Sequence, residues 1–162
     1  MLTLLSRRSE AIAEAERARE LDPMSALEMN PNFWPLHFFL GQVYEQQGRY
    51  ADALTELSKA EGPTLEATSQ IGHLYAISAK RAKAEQVLKD LTTRSKQRYV
   101  SPVYFARIYT GLGQKDQALE WLERGYAVRD PHMEVIAVEP TFESLRSDSR
   151  FIDLLRRLNL SR

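Results

Sequence analysis

Few side chains in this 162-residue chain are of a type and spacing that could do chemistry, and each has a competing explanation. His37, His73 and His132 include no pair at the spacing of metal ligands, so a metal site would need one imidazole to meet carboxylates from another helix. Gly111-Leu112-Gly113-Gln114-Lys115-Asp116 has the glycines and the lysine of a phosphate loop. It lacks the third glycine, no strand precedes it, and Lys115 is not followed by Ser or Thr. A tight turn between two helices accounts for both glycines. The chain has no cysteine, which excludes disulfides, thiolate catalysis and cysteine-ligated zinc together. Because it also shows no Ser/His/Asp arrangement, carboxylate dyad or histidine metal motif, the sequence predicts a non-catalytic protein with no cofactor and no metal.

Two further clusters suit binding rather than catalysis. Residues 80–98 carry seven basic side chains (Lys80, Arg81, Lys83, Lys89, Arg94, Lys96, Arg98) against Glu85 and Asp90, a local excess of five positive charges. At about 100° per residue these fan around a helix instead of forming one stripe, which predicts a solvated outer face, with a polyanion- or RNA-binding patch as the alternative. Phe33, Trp34, Phe38 and Phe39 form an aromatic cluster that reads as core plus one neighbour. Phe38 and Phe39 are adjacent on a helix, so only one of them faces the core.

Composition narrows the setting. Hydrophobic residues make up 43% and charged residues 27%, a globular balance, and 22 basic residues cancel 22 acidic ones. No net field draws such a chain to nucleic acid or to an anionic membrane. The apolar run at residues 1–5 is too short for a secretory core, its charges follow it instead of preceding it, and no stretch approaches the ~20 apolar residues of a bilayer span. A cytoplasmic protein without a membrane partner is expected.

The elements that must position these residues are all helical. Good helix formers fill residues 6–21, ended by Asp22-Pro23. Asn32 is placed to cap a helix from Phe33 that carries Pro35 in its first turn and ends near Gln47, before Gly48-Arg49. Further helices are expected over about 50–61, 65–78, 80–95, 102–111 and 115–129, with Ser101-Pro102 as a clear start signal. Asp130-Pro131 and Glu139-Pro140 divide the tail, and Asp148 suits the cap of a last helix over 151–158. Only residues 135–138 resemble a strand, and that run is too short to count.

A pattern recurs through these helices. Leu40-Gly41-Gln42-Val43-Tyr44 with Ala53 returns as Ile71-Gly72-His73-Leu74-Tyr75 with Ala84, and as Phe105-Ala106-Arg107-Ile108-Tyr109 with Ala118. The tyrosines lie 31 and 34 residues apart, close to the ~34-residue period of a helix–turn–helix solenoid. These residues resemble the tetratricopeptide repeat, with Gly41, Gly72, Ala106, Ala53, Ala84 and Ala118 as its small contact positions and Pro23, Pro31 and Pro63 near its closing prolines. His37, Thr68 and Pro102 depart from it, standing where tryptophan is preferred, and Ala79-Lys80 replaces the glycine turn.

The resemblance implies an all-α superhelix in one domain spanning 1–162. It would comprise a half repeat at 6–23, repeats at about 33–63, 65–95 and 101–130, and a helical cap at 131–160. Repeat endings fall twice within eight residues, at Pro23 and Pro31, as if most of one repeat were missing. The stretch from Tyr99 through Trp121 to Phe151 is similar to the tetratricopeptide tails of bacterial signalling proteins, which makes a regulatory or sensor segment of a larger transcription or signalling regulator the alternative reading.

The family geometry also implies a function, protein–protein interaction through a concave groove that holds a peptide or partner helix. It places Phe38, Gln42, Glu45, Gln46, Ser69, His73, Ile77, Val103, Arg107 and Thr110 on the groove wall. Arg107 is the expected anchor for an acidic group, His73 and Gln42 supply hydrogen bonds, and Phe38 and Ile77 supply apolar contact. The paired lysine and asparagine set of carboxylate-clamp members is missing, which argues against a receptor for chaperone tails. The Ala11, Ile12, Ala15, Ala18 face of the first helix has no partner helix within its own unit, so a homodimer through the N-terminal helix is expected, unless that helix folds back on its own chain.

Overall fold

Every helix the pattern demands between residues 33 and 160 is present in the computed structural model, which describes residues 33–60 and 64–160. The helices are α1 (Trp34–Gln46), α2 (Tyr50–Ala60), α3 (Leu65–Ile77), α4 (Arg81–Ser95), α5 (Pro102–Gly111), α6 (Lys115–Ala127) and α7 (Ser149–Arg157). Two 3-10 segments, Pro131–Val135 and Pro140–Leu145, lie between α6 and α7. The chain is thus an all-α helical-repeat fold. The expected N-terminal helix, its self-association face, Asn32 and the Gly62-Pro63 turn fall outside the described residues. The chain forms two compact units, Met1–Ala67 and Thr68–Arg162.

In the first unit α1 and α2 form a hairpin held by an absent side chain. A Cβ on Gly41 would lie 2.5 Å from Leu57 Cγ and 3.3 Å from the Ala53 carbonyl oxygen, so only glycine lets these helices approach. Ala53, Leu57 and Ala60 are fully buried along the seam. A polar clasp reinforces it: His37 Nδ1 stands 2.6 Å from Glu56 Oε2, and Lys59 Nζ donates to Glu56 Oε1 at 2.8 Å. Burial pushes the Glu56 carboxyl up, but hydrogen bonds from Lys59 and His37 outweigh it and hold the group below its ordinary value.

The second unit repeats the device. A Cβ on Gly72 would meet Ile108 Cδ1 of α5 at 2.6 Å and Val87 Cγ1 of α4 at 3.0 Å. Ala84, Ala106 and Ala118 are fully buried. The glycine and alanine positions of the sequence pattern are therefore the sites of tight packing, because two helix backbones can approach closely only where little or nothing projects between them.

One backbone closure ends five helices. The amide of Arg49 donates to the Tyr44 carbonyl, Lys80 to Tyr75, Gln114 to Tyr109, Asp130 to Gly125 and Leu160 to Leu155, all at 2.8–2.9 Å. The residue before each donor has positive φ: Gly48 and Gly113 at 72°, Ala79 at 59°, Arg129 at 54° and Asn159 at 57°. This is the left-handed helix stop that glycine adopts without penalty and alanine does not.

The tail departs from simple helix. Pro131 and Pro140 each begin a 3-10 segment, and the strand-like run at 135–138 closes one of them, with the amides of Val138 and Glu139 both donating to the Val135 carbonyl. Asp130 and Asp148 cap the elements that follow them, accepting from the amides of His132 (2.7 Å) and Arg150 (3.0 Å). Met133, Ile136, Phe142, Leu145, Phe151 and Leu154 share one core with Val103 and Ala106 of α5 and Ala118, Leu119 and Leu122 of α6. A Cβ on Gly125 would stand 2.7 Å from Met133 Sδ, so the tail also needs a missing side chain to seat. Ion pairs of Arg150 with Asp116 (2.8 Å) and Arg157 with Glu123 join α7 to α6 on the polar outer side.

Two measurements test this account. Deleting residues 140–162 removes four fully buried side chains (Phe142, Leu145, Phe151, Leu154), worth roughly 6–12 kcal/mol, on the order of a whole domain's stability. The truncated protein is expected to melt well below the parent or to aggregate, and an unchanged melting temperature would remove the capping role. Ala79→Gly is expected to raise stability by about 1 kcal/mol, seen as a higher urea midpoint at unchanged slope. A lower midpoint would show that Ala79 is not strained.

Candidate functional site

The expected groove residues divide by burial. On α1 of the first unit Phe38 and Glu45 are buried, Gln42 is half-buried and Gln46 is exposed. The apolar side chains open to solvent there are not among the expected wall residues: Phe39 at 42% and Val43 at 49% exposure, one turn apart. Phe38 takes the core position of the adjacent pair and meets the Phe39 ring edge-on at a centroid distance of 6.0 Å. The expectation that Phe38 offers apolar contact to a partner is therefore corrected: Phe39 has that exposure.

In the second unit most of the expected wall faces protein. Ser69, His73, Val103, Arg107 and Thr110 are all buried, and Ile77 stays exposed. The Ser69 hydroxyl donates to the Tyr104 carbonyl at 3.0 Å, tying α3 to α5, and the Thr110 hydroxyl donates to Ala106 within its own helix. Thus Ser69 and Thr110 satisfy backbone carbonyls where solvent-facing contacts were expected.

Arg107 is the largest correction. It is 1% exposed, and its acidic partner belongs to the same chain. Nε donates to Glu139 Oε1 at 2.5 Å and Nη2 to Glu139 Oε2 at 3.1 Å, a bidentate pair with both side chains buried. The Tyr104 ring lies 5.5 Å from the guanidinium carbon. This planar two-point match is what a guanidinium offers and a lysine does not. Nothing in the sequence marked Glu139, which is 32 positions away in the tail.

His73 lies beside this pair in charge terms. Burial, and then repulsion by Arg107, depress its pKa from 6.5 to about 3, so the imidazole is neutral at physiological pH. A second network connects the α4–α5 linker, α5 and the tail. Tyr99 donates to Asp130 Oδ2 at 2.5 Å, His132 Nδ1 lies 2.9 Å from Asp130 Oδ1, and His132 Nε2 lies 2.9 Å from the Tyr104 hydroxyl. Burial raises the Asp130 carboxyl, but hydrogen bonds from His132 and Tyr99 bring it down to about 2; burial and the bond to Asp130 push the Tyr99 phenol up. The order carboxylate, imidazole, hydroxyl also occurs in nucleophilic catalysis. Here the hydroxyl is that of a buried tyrosine, and the chain of bonds joins three elements as a clasp.

The basic run wraps α4 with two of its charges neutralised in the helix, Arg81 by Glu85 (2.9 Å) and Arg94 by Asp90 (2.8 Å). Lys83 stacks over the Tyr75 ring at 5.3 Å. Among the described residues no group of three or more His, Asp or Glu side chains is placed to hold a metal ion, and no helix is long and apolar enough to cross a membrane.

The buried pair gives a test. Arg107→Ala leaves Glu139 charged and buried, which is expected to cost roughly 3–5 kcal/mol, against about 0.5 at an exposed position. Chemical denaturation reads the difference. A loss below about 1 kcal/mol would place the pair in solvent, whereas the double change Arg107→Met with Glu139→Leu is expected to recover most of the stability.

Residues 35–62, the α1–α2 hairpin, match the family model of the tetratricopeptide repeat. No curated protein and no solved structure matches the chain.

Proposed function

Since this chain carries a tetratricopeptide repeat, a fold used generally for protein interaction, we propose that it is a non-catalytic interaction module whose partner segment docks on the exposed side of α1. The observation that carries this reading is the pair Phe39 and Val43, large apolar side chains about half exposed on the helix that opens the matched repeat. Half-buried Gln42 and exposed Gln46 flank them with amides that donate and accept. The one charged residue of α1, Glu45, is buried, so this side of the helix offers no net charge.

That chemistry suits an uncharged or weakly charged segment presenting apolar side chains at helical spacing. It does not suit an acidic chain end, whose expected anchor, Arg107, already holds Glu139. Burying both apolar groups would contribute a few kcal/mol before the entropy of association is subtracted, at about 25 cal/mol/Å², which points to modest affinity.

Photo-crosslinking from position 43, with position 152 on α7 as the control, identifies the partner and places it. The double variant Phe39→Ser, Val43→Ser is then expected to lower affinity for that partner at least tenfold while leaving helicity unchanged. Equal binding by parent and variant would remove α1 from the interface.

A further inference from the structure

Tyr99 shows its ring to solvent while its hydroxyl is held inside the second unit. The residue is 65% exposed, more than any other aromatic side chain among the described residues, and its hydroxyl donates to Asp130 Oδ2 at 2.5 Å. The Asp130 side chain has no exposed surface. Its other oxygen, Oδ1, accepts from the His132 amide at 2.7 Å and lies 2.9 Å from His132 Nδ1. The backbone on either side of Tyr99 is fixed as well. The Arg98 amide donates to the Arg94 carbonyl at 3.0 Å, and Val100 and Ser101 are buried where α5 begins. A tyrosine side chain has few torsions to freeze, and here both of its ends are tethered, so the ring is set in place before anything binds to it.

Three cations lie next to Tyr99, along the chain or across its hydrogen bond. Lys96 and Arg98 stand in the turn that follows α4, and Arg129 immediately precedes the Asp130 that Tyr99 bonds. All three are exposed, and none has an ion-pair partner among the described residues. Arg81 and Arg94, earlier in the same basic run, are already paired with Glu85 and Asp90. The carboxylate of this cluster, Asp130, is turned inward and bonded at both oxygens. The cluster therefore offers solvent a fixed aromatic ring and uncompensated positive charge together.

We propose that this cluster is a docking point for single-stranded nucleic acid, in which an unpaired base stacks on the Tyr99 ring while Lys96, Arg98 and Arg129 hold the neighbouring phosphates. A ring that accepts any base and cations that follow the backbone are the two parts of sequence-tolerant strand binding. An acidic peptide would use the cations and leave the ring idle. In a duplex the bases are already stacked on one another and have no free face for it. A lipid surface fits less well, because a tyrosine at a bilayer interface keeps its polar tip in the wet layer, whereas Tyr99 turns its hydroxyl into the protein. The chain as a whole is neutral, so the attraction is local and the affinity modest. This site belongs to the second unit and does not depend on the docking proposed at α1.

Fluorescence anisotropy of the full chain with a labelled oligouridylate of about ten residues tests the proposal. With three phosphates neutralised on a single strand, affinity is expected to fall about 20-fold between about 50 and about 200 mM salt. The triple variant Lys96→Gln, Arg98→Gln, Arg129→Gln is expected to lose that salt dependence. Tyr99→Leu is expected to weaken binding about tenfold at every salt concentration with the slope unchanged, because stacking releases no counterions. Undiminished binding by Tyr99→Leu, or equal affinity for a duplex of the same length or for phosphatidylserine vesicles, overturns the proposal in favour of a surface that reads charge or lipid. Because Tyr99→Leu also removes the bond to Asp130, the parent protein supplies a reading free of any variant. The ring protons of Tyr99 are expected to shift upfield as oligouridylate is added, and ring signals that do not move would also overturn the proposal.

Discussion

A side chain that is missing at the right place is what the rest of this structure depends on. Two helices can bring their backbones together only where nothing projects between them, and helices within each unit meet at such places: Gly41 under Leu57, Gly72 between Val87 and Ile108, Gly111 under Ala76 and His73. That close approach sets the neighbouring contacts. It brings Leu57 and Ile108 into full burial, brings the Ser69 hydroxyl within reach of a backbone carbonyl on α5, and buries the His73 imidazole. Any substituent at these glycines would separate the helices by the thickness of a methyl group and leave voids along the whole seam.

Burial then redistributes roles that residue type suggests. Arg107 has the chemistry of a ligand anchor, but an anchor must be reachable. The tail reaches it first, with a carboxylate delivered by Glu139 and four large apolar side chains from the same segments holding that carboxylate in place. Exposing those groups would cost more than a peptide carboxylate could return through one ion pair. The tail is therefore a permanent part of the second unit, and the large apolar side chains left exposed on α1 and on α3 are Phe39 and Val43 on the first and Ile77 on the second.

Much of this was legible in the sequence, for reasons that differ by element. Helix limits were readable because proline, glycine and capping residues act locally: Ser101 accepts from Val103, and Asp148 caps α7 as its type and position suggest. Contact positions were readable because small residues recur in register with the tyrosines. What could not be read depends on distance along the chain or on competition between neighbours. The pairing of Arg107 with Glu139, and the link from Tyr99 through Asp130 and His132 to Tyr104, join residues about thirty positions apart with no periodic signal. The choice between Phe38 and Phe39 turns on a rotation of about 100° that composition does not set. The 3-10 geometry of the tail hides in prolines that announce a break without specifying the geometry beyond it.

The five helix stops bear on how the chain acquires its shape. Each joins an amide to a carbonyl only five residues back, so each forms without waiting for any distant part of the molecule. Contacts of that kind arise on the sub-microsecond to microsecond scale of helix and short-loop formation. The tail is different in kind: its carboxylate and its apolar groups must find α5 across some thirty residues of chain, after the helices they pack on exist. Hairpins that assemble early and a closing segment that docks late imply a kinetic hierarchy, in which a nascent chain that ends at Asp130 already has four of the five stops but keeps the apolar side of α5 and α6 open to solvent.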